Sequence, residues 1–473
     1  MERKKKKKGF RFKMPSAFTV LLIIIVVLAL VTYLIPSVKN ASLPLVLMSP
    51  VKGFADALDV CIFVIVIGGF LGVVTKTRAL EAGVAKIVEK MKGKEIWMIP
   101  VLMILFSLGG TTYGMAEETI AFYALITATM MAAGFDSLVG ASVILLGAGV
   151  GVLGSTVNPF AVSVAVDAFQ SAFPGVVVNQ SIVIALGAIL WITSLVIAII
   201  FVMRYAKKVQ HKKEASILSE KEQRASERAF LKKNEKEPAQ LTGRRKAILV
   251  LFGISFVIMI ISLIPWSSFG ITIFEKSTAW FLGVPFGDWY FQELAAWFFL
   301  VSIIIGIIDG LKEKEIVDSF VEGASGMISV ALIIAVSRGI SVLMAETGLS
   351  TYILTHAADA LRGVSTGLFT GLSYLVYVGL SFLIPSTSGL ATASIPTMGG
   401  LAYLLKLSPE VMIMVFCAAC GLVNLFTPTS AVVMGGLEVS KIEFGTWLKF
   451  VFKLLLILLV VNIVILTIAM FLF

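Results

Sequence analysis

Residues 109–119, with the sequence GGTTYGMAEET, place two adjacent glutamates between long apolar runs. An isolated charge in hydrocarbon costs roughly 2.5–3.5 kcal/mol on insertion scales. Such a segment therefore persists only where other protein covers it or where it lines a water-filled cavity. The glycines are expected to break the helix. The apolar arms, residues 96–108 and 120–133, are each shorter than the ~20 residues that a spanning helix needs. We therefore predict a re-entrant hairpin over residues 96–133.

The composition of the chain is that of a multi-pass membrane protein. It has 473 residues, of which 58% are hydrophobic and 14% charged, whereas soluble domains carry about 25% charged residues. Residues 20–34 and 454–473 are nearly free of charge and are about long enough to cross a ~30 Å hydrocarbon core. A short external stretch is expected between the first span, residues 17–35, and the second, residues 57–74.

The net charge of +10 is concentrated in two segments. Residues 1–13 carry eight Lys and Arg against one Glu, and residues 204–246 carry fourteen against six. The positive-inside rule places both on the cytoplasmic side of a cytoplasmic membrane, and attraction to anionic lipid explains the charge without nucleic acid. We predict a basic N-terminus over residues 1–16, membrane repeats over 17–203 and 247–473, and a cytoplasmic linker over 204–246.

The two membrane repeats contain matching irregular segments. GMAEETI at residues 114–120 matches GLATASI at 389–395, and Asn158-Pro159 matches Thr427-Pro428, at a separation of roughly 270 residues. Proline lacks an N–H and disfavours helix at the preceding residue, so each Pro breaks a membrane helix. The extra span at residues 248–264 inverts the second copy. This pattern predicts an all-α inverted repeat with nine crossings, two broken helices and a second re-entrant hairpin over residues 366–405.

Inverted repeats with discontinuous helices at matching positions are typical of secondary active transporters, with the binding site at the breaks. Free N–H groups at one helix tip attract carboxylates, whereas free carbonyls with Ser, Thr and Asn oxygens coordinate Na⁺. The candidate ion ligands are Ser155, Thr156, Asn158, Asn424, Thr427 and Thr429. The candidate substrate-binding residues are Thr111, Thr112, Glu117, Glu118, Ser386, Thr387, Ser388, Thr392 and Arg338.

Three charged side chains leave alternatives open. Glu117 and Glu118 would point about 100° apart on a helix, and we select Glu118 for contact with substrate or cation. A carboxylate beside a low-dielectric cavity has a raised pKa and is a candidate proton carrier; a structural ion pair is the alternative role. Arg338 lies in the middle of an apolar run and must be paired or hydrated. Its candidate partners are the two glutamates and a substrate carboxylate.

The sequence resembles the YfcC family, within the DcuC-like group of C4-dicarboxylate anaerobic carriers. It is also similar to arginine/ornithine antiporters of the ArcD type and to the ion transporter superfamily. The resemblance rests on GGTTYGMAEETIAFY at residues 109–123, NPFA at 158–161 and IPSTSGLATASIPTMGGLA at 384–402. It implies a scaffold and a transport domain, an elevator-type movement and a homodimer.

Two other classes of function fit the sequence less well. Intramembrane proteases with paired glutamates need an Arg shortly after the pair and a membrane-facing His, but TIAFY follows here and the two His lie elsewhere. A passive channel favours a continuous filter or charged rings over matched broken helices. We therefore expect no enzyme, no cofactor and no metal beyond Na⁺, with Na⁺ or H⁺ as the coupling ion. One central Arg favours an amino acid substrate, with a C4-dicarboxylate as the alternative.

Overall fold

The computed structural model describes residues 17–473 except 91–93, 117–118, 232–239, 265 and 267–269. Its regular elements over these residues are all helical. Eight described helical segments are long and apolar enough to cross a membrane, and further apolar helices of 10–17 residues accompany them. The all-α multi-pass class is confirmed, while the number of nine crossings stays a prediction.

Over the described residues, the first half of the chain contains nine α-helices and is followed by one α-helix in the linker. They are α1 Ala17–Thr32, α2 Leu43–Asp56, α3 Leu58–Lys76, α4 Ala79–Lys90, α5 Met98–Tyr113, α6 Ile120–Ala132, α7 Ser137–Leu153, α8 Val164–Ala172, α9 Gln180–His211 and α10 Glu220–Ser226. The predicted break between α7 and α8 is present.

The second half repeats this order after one additional span. Its helices are α11 Gly243–Leu263, α12 Ile273–Ser277, α13 Ala279–Leu282, α14 Phe291–Asp309, α15 Glu313–Ser325, α16 Ile328–Thr347, α17 Leu349–Ala360, α18 Thr366–Leu383, α19 Thr387–Leu404, α20 Pro409–Val423, α21 Ala431–Val439 and α22 Phe444–Leu472. The break between α20 and α21 is the counterpart of the one after α7.

The membrane helices form two groups that pack mainly among themselves. We name α5–α9 with α18–α22 the hairpin group, and α1–α4 with α11 and α14–α17 the flanking group. Nearly every residue of α7 and α20 is buried, and these two helices cross at the centre of the hairpin group. A Cβ added at Gly421 would lie 2.2 Å from Leu153 Cα. The backbones of the two broken helices are thus in direct contact.

The flanking group is built on two further helix pairs, α2 with α16 and α3 with α15. A Cβ added at Gly53 would lie 2.3 Å from the Gly339 nitrogen, and one at Gly72 would lie 2.1 Å from the Ser319 carbonyl oxygen. The expectation of a short external stretch before the second span is therefore wrong for Leu43–Asp56. This segment is a helix capped by Ser42, with a proline in its first turn, and Gly53 allows it to pack closely on α16.

The hairpin tips differ in position from the sequence prediction. Gly109 and Gly110 do not break α5, which continues to Tyr113 and ends at Gly114 with φ +82°. Gly110 instead gives α5 its close approach to α7, because a Cβ there would lie 2.2 Å from the Ala148 carbonyl oxygen. In the second hairpin α19 begins at Thr387, so Gly389 lies inside a helix and the tip is residues 384–386.

The linker contacts the ends of two hairpin-group helices, which its sequence did not predict. Ser216 Oγ and Tyr205 OH donate to Asp136 Oδ2 at 2.7 and 2.6 Å, and Asp136 caps α7 through the Val139 N–H. Burial raises the pKa of Asp136, and these hydrogen bonds oppose the shift. Near the start of α22, the backbone N–H of Glu443 donates to buried Glu222 at 2.8 Å. The linker therefore connects the two halves of the hairpin group.

We predict that the linker faces the cytoplasm. Ala215→Cys should react with a membrane-impermeant maleimide in inside-out vesicles and not in intact cells, because Ala215 is exposed in the linker. Val177→Cys is the matched control for the outer surface, since Val177 is 83% exposed in the loop before α9. The three native cysteines are buried and give little background. Labelling of Ala215→Cys in intact cells, with Val177→Cys protected, would overturn the inverted arrangement.

Candidate functional site

Both hairpin tips and both helix breaks meet at one cavity of about 150 Å³. The cavity also touches the flanking group, so it lies between the two groups of helices. Its lining includes Gly114, Met115, Ala116 and Thr119 from the first tip, Asn158 and Phe160 from the first break, Pro385, Ser386, Thr387 and Ser388 from the second tip, Asn424, Thr429 and Ser430 from the second break, and Tyr290, Phe291, Ser337 and Arg338 from the flanking group.

The structure brings together about half of the residues predicted for binding. Those that line the cavity are Ser386, Thr387, Ser388, Arg338, Asn158, Asn424 and Thr429. Those that do not are Thr111, Thr112, Thr392, Ser155, Thr156 and Thr427. Glu117 and Glu118 lie outside the described residues. Binding by all of these residues stays a prediction, and the described contacts show what several of the others do instead.

The first break is held to the end of α5 by threonine hydroxyls. Thr111 Oγ1 donates to the Gly154 carbonyl at 2.7 Å, which satisfies a group at the end of α7. Thr156 donates to the Thr111 carbonyl through its N–H at 2.9 Å and its hydroxyl at 3.0 Å. These bonds occupy Thr111 and Thr156 in joining the hairpin to the break. Their observed role is therefore positional.

The second break repeats this connection. Thr429 Oγ1 donates to the Phe382 carbonyl at the end of α18 at 3.0 Å, the same length as the bond from Thr156 to Thr111. The partners are 47 residues apart in one case and 45 in the other. Thr427 Oγ1 lies 2.7 Å from Thr429 Oγ1, and Ser337 Oγ of the flanking group donates to the Thr429 carbonyl. Each break is thus joined to the end of a hairpin arm by a threonine hydroxyl, although Thr156 precedes the proline of its break and Thr429 follows it.

Asn158 holds the first break in shape and faces the first tip. Its Nδ2 donates to Ser155 Oγ at 3.0 Å, and its Oδ1 accepts from the Phe160 N–H at 3.0 Å. A Cβ added at Gly114 would lie 2.6 Å from Asn158 Oδ1. Because Gly114 also has a positive φ, only glycine fits this contact without strain. The first tip and the first break therefore meet where the Gly114 backbone lies against the side-chain amide of Asn158.

Two helix N-termini point their first residues into the cavity. Ser386 caps α19 by accepting from the Gly389 N–H at 3.1 Å, and Ser430 caps α21 by accepting from the Val433 N–H at 3.4 Å. Helix N-termini carry partial positive charge and attract anionic groups. Asn424 lies at the C-terminus of α20, where the helix dipole carries partial negative charge. The cavity can thus accept a carboxylate at one wall and a cation at another.

Arg338 is the one charged side chain among the described lining residues. It lies inside α16, which continues through it, and its side chain is 26% exposed. Its Nε lies 3.9 Å from Asp56 Oδ2 at the end of α2. The sequence did not identify Asp56 as a partner, because residues 43–56 were expected to form an external stretch. At this separation the guanidinium keeps donors for a ligand.

Two further predicted residues lie outside the cavity lining, and several lining residues were missed. Thr112 and Thr392 donate to carbonyls one turn earlier in their own helices, and Thr392 is exposed. Ser430 lies next to a predicted ligand and Ser337 next to Arg338, so proximity in sequence was the available signal. The aromatic residues Phe160, Tyr290 and Phe291 carried no pattern that distinguished them from other apolar positions.

These features define a multi-pass membrane transporter whose cavity is formed by helix ends of two inverted halves. The chain belongs to the C4-dicarboxylate anaerobic carrier family, DcuC, whose family model matches residues 43–471. It is 32% identical over 407 residues to an uncharacterized protein of Haemophilus influenzae, covering 86% of this chain and 74% of the relative. The "Putative basic amino acid antiporter YfcC" of Escherichia coli is 29% identical, with 84% and 74% covered. The resemblance noted from the motifs is confirmed.

Two solved transporters also align over most of the chain. The YdaH transporter of Alcanivorax borkumensis has a TM-score of 0.49 and 14% identity, covering 96% of this chain and 98% of its own. Neisseria gonorrhoeae MtrF, described as an antimetabolite efflux pump, has a TM-score of 0.44 and 18% identity, with 97% and 96% covered.

We predict that Thr111→Val lowers stability without changing substrate preference. Valine keeps the shape but removes the donor to the buried Gly154 carbonyl, and an unsatisfied buried group costs about 1–3 kcal/mol. Thermal unfolding in detergent should show a lower midpoint, with the relative affinities for a panel of solutes unchanged. Thr355→Val is the matched control, because Thr355 only bonds its own exposed helix. A selective loss of one substrate class would show that Thr111 contacts substrate.

Proposed function

We propose that this protein is a secondary active transporter that moves a small charged organic solute, an amino acid, across the cytoplasmic membrane. The observation that supports this most directly is the meeting of both hairpin tips and both helix breaks at one cavity between two helix groups. Transporters of inverted-repeat architecture place substrate and coupling-ion sites at such breaks.

In this proposal the carboxylate of the substrate binds between Arg338 and the N-termini of α19 and α21. Ser386, Thr387 and Ser388 add neutral hydrogen-bond partners from the second tip. Glu118 presents a carboxylate to the substrate amino group. The two halves differ in charge at these positions, because Glu117 and Glu118 of the first repeat match the uncharged Thr392 and Ala393 of the second. The printed name of the Escherichia coli relative, a putative basic amino acid antiporter, agrees with this class of substrate.

A C4-dicarboxylate is the second candidate, because the family description names it and two helix N-termini favour anions. A dicarboxylate brings two negative charges, however, whereas the described lining offers one cation that already lies near Asp56. An amino acid needs only one anion site. The single cation therefore favours the amino acid.

Transport in this proposal proceeds by an elevator-type movement of the hairpin group against the flanking group, within a homodimer. The coupling ion is Na⁺, held by oxygens of Asn158, Asn424 and Thr429 at the breaks, or H⁺, carried by a glutamate of the first tip. Exchange of two solutes is a third way to drive the same movement.

Glu118→Gln tests the substrate assignment. Glutamine keeps size and hydrogen-bonding capacity but removes the charge, and a charge-assisted hydrogen bond contributes roughly 1.5–3 kcal/mol, so affinity for an amino acid should fall about ten- to a hundredfold. Binding of amino acids and dicarboxylates to purified protein, with and without Na⁺, is the measurement. Exposed Glu313→Gln in α15 is the matched control. Equal affinity of Glu118→Gln and the parent would make Glu118 structural, and parent binding of dicarboxylates alone would reject amino acid transport.

Asn158→Ala tests the coupling ion. If Na⁺ binds at the first break, removal of the amide oxygen should raise the Na⁺ concentration for half-maximal uptake in proteoliposomes severalfold, at unchanged expression. Asn179→Ala is the control, since its side chain only caps α9 outside the cavity. Uptake that proceeds without Na⁺ and needs a proton gradient would move the coupling role to Glu117 or Glu118.

A further inference from the structure

Three aromatic rings form one corner of the cavity, and they come from both helix groups. Phe160 belongs to the first break in the hairpin group, whereas Tyr290 and Phe291 stand at the start of α14 in the flanking group. The Phe160 ring centroid lies 5.3 Å from that of Tyr290 and 6.0 Å from that of Phe291, and the latter two are 4.8 Å apart. We call these three residues the aromatic corner.

Two carboxylates accept hydrogen bonds from the start of α14, which carries two of the three rings. Asp59 Oδ1 accepts from Gln292 Nε2 at 2.9 Å, next in sequence to Phe291. Glu293 Oε2 accepts from the backbone N–H of Tyr290 at 2.8 Å. Neither bond neutralises the carboxylate, because both donors are uncharged. The ring faces carry the negative part of the aromatic quadrupole, and Glu293, the capping-box residue of α14, offsets the partial positive charge of that helix N-terminus.

We propose that the aromatic corner binds the cationic side chain of a basic amino acid, while the carboxylate of the same substrate binds at Arg338. This inference rests on the proposed function and specifies its substrate. Aromatic rings within about 6 Å of a cation attract it through their quadrupole. An extended basic amino acid carries its two poles at opposite ends, and the cavity offers Arg338 and the aromatic corner on different lining elements.

The same arrangement acts against a second carboxylate. A dicarboxylate that placed one end at Arg338 would bring its other end toward the ring faces of the aromatic corner, which repel an anion. The aromatic corner thus determines specificity through the sign of the distal group. It also contains a residue of each helix group, so the cation contacts both groups at once.

Pairs of amino acids that differ mainly in distal charge isolate this contact. Binding of arginine against citrulline, and of ornithine against norvaline, is measured by calorimetry on purified full-length protein. Phe160→Leu keeps an apolar side chain but removes the ring, so it should lower the affinity for arginine and ornithine about three- to tenfold. The affinities for citrulline and norvaline should change less than twofold. Phe160→Tyr, which retains a ring, should restore the preference.

Phe173→Leu is the matched control, because its ring stacks on Phe169 outside the cavity lining. Equal losses for the charged and neutral members of each pair in Phe160→Leu would overturn the aromatic corner as a cation site. That result leaves the proposed function standing if the parent binds amino acids, whereas a parent that binds none of the four rejects the proposed function itself.

Discussion

The structure depends on how backbone groups are satisfied where two helices stop inside the membrane. Each broken helix leaves free carbonyls at depths where water cannot serve as a partner, and each unsatisfied group is costly there. Thr111 meets this need after α7, because its hydroxyl donates to the Gly154 carbonyl. In each half a hydroxyl of the break in turn satisfies a carbonyl of the adjacent hairpin arm: Thr156 donates to the end of α5, and Thr429 donates to the end of α18. Because these bonds are made, the remaining helix ends are free to face a cavity. The position of the site thus follows from where helix ends lack backbone hydrogen-bond partners.

The sequence predicted the repeat and the breaks well because their signals are local. A proline after a polar residue stops a membrane helix wherever it occurs, and the two Pro positions were sufficient to locate the breaks. Glycine is ambiguous by comparison. Gly110 was expected to end a helix, but it serves a close contact with α7, and only Gly114 adopts the left-handed conformation that ends α5. Which of the two roles a glycine takes depends on a neighbouring helix, and no local pattern contains that information.

The site could be predicted in outline and not in detail for a related reason. Polar residues near the breaks were correctly expected to gather, and Ser386, Asn158 and Thr429 do so. The flanking side of the cavity comes instead from helices with ordinary apolar sequences, so Phe291 and Ser337 were missed. Asp56 was missed because α2 was expected as an external stretch. The contacts of the linker with Asp136 and Glu443 could not be predicted either, since the sequence of a charged segment does not indicate which surface it packs against.

The contacts within and between the two helix groups differ in kind, and this difference supports the proposed movement. Within each group, glycines bring backbones together, as at Gly53 with Gly339 and at Gly421 with Leu153. Such interlocked backbones have no room to slide. Between the groups, Phe122 of α6 meets Phe256 of α11 at 4.7 Å, and Phe160 meets Phe291. Contacts between side chains can be exchanged for others by rotamer changes, at a smaller cost than separating packed backbones. The proposed movement of the hairpin group would therefore separate few packed backbones, because the boundary that holds the cavity is formed largely by side chains.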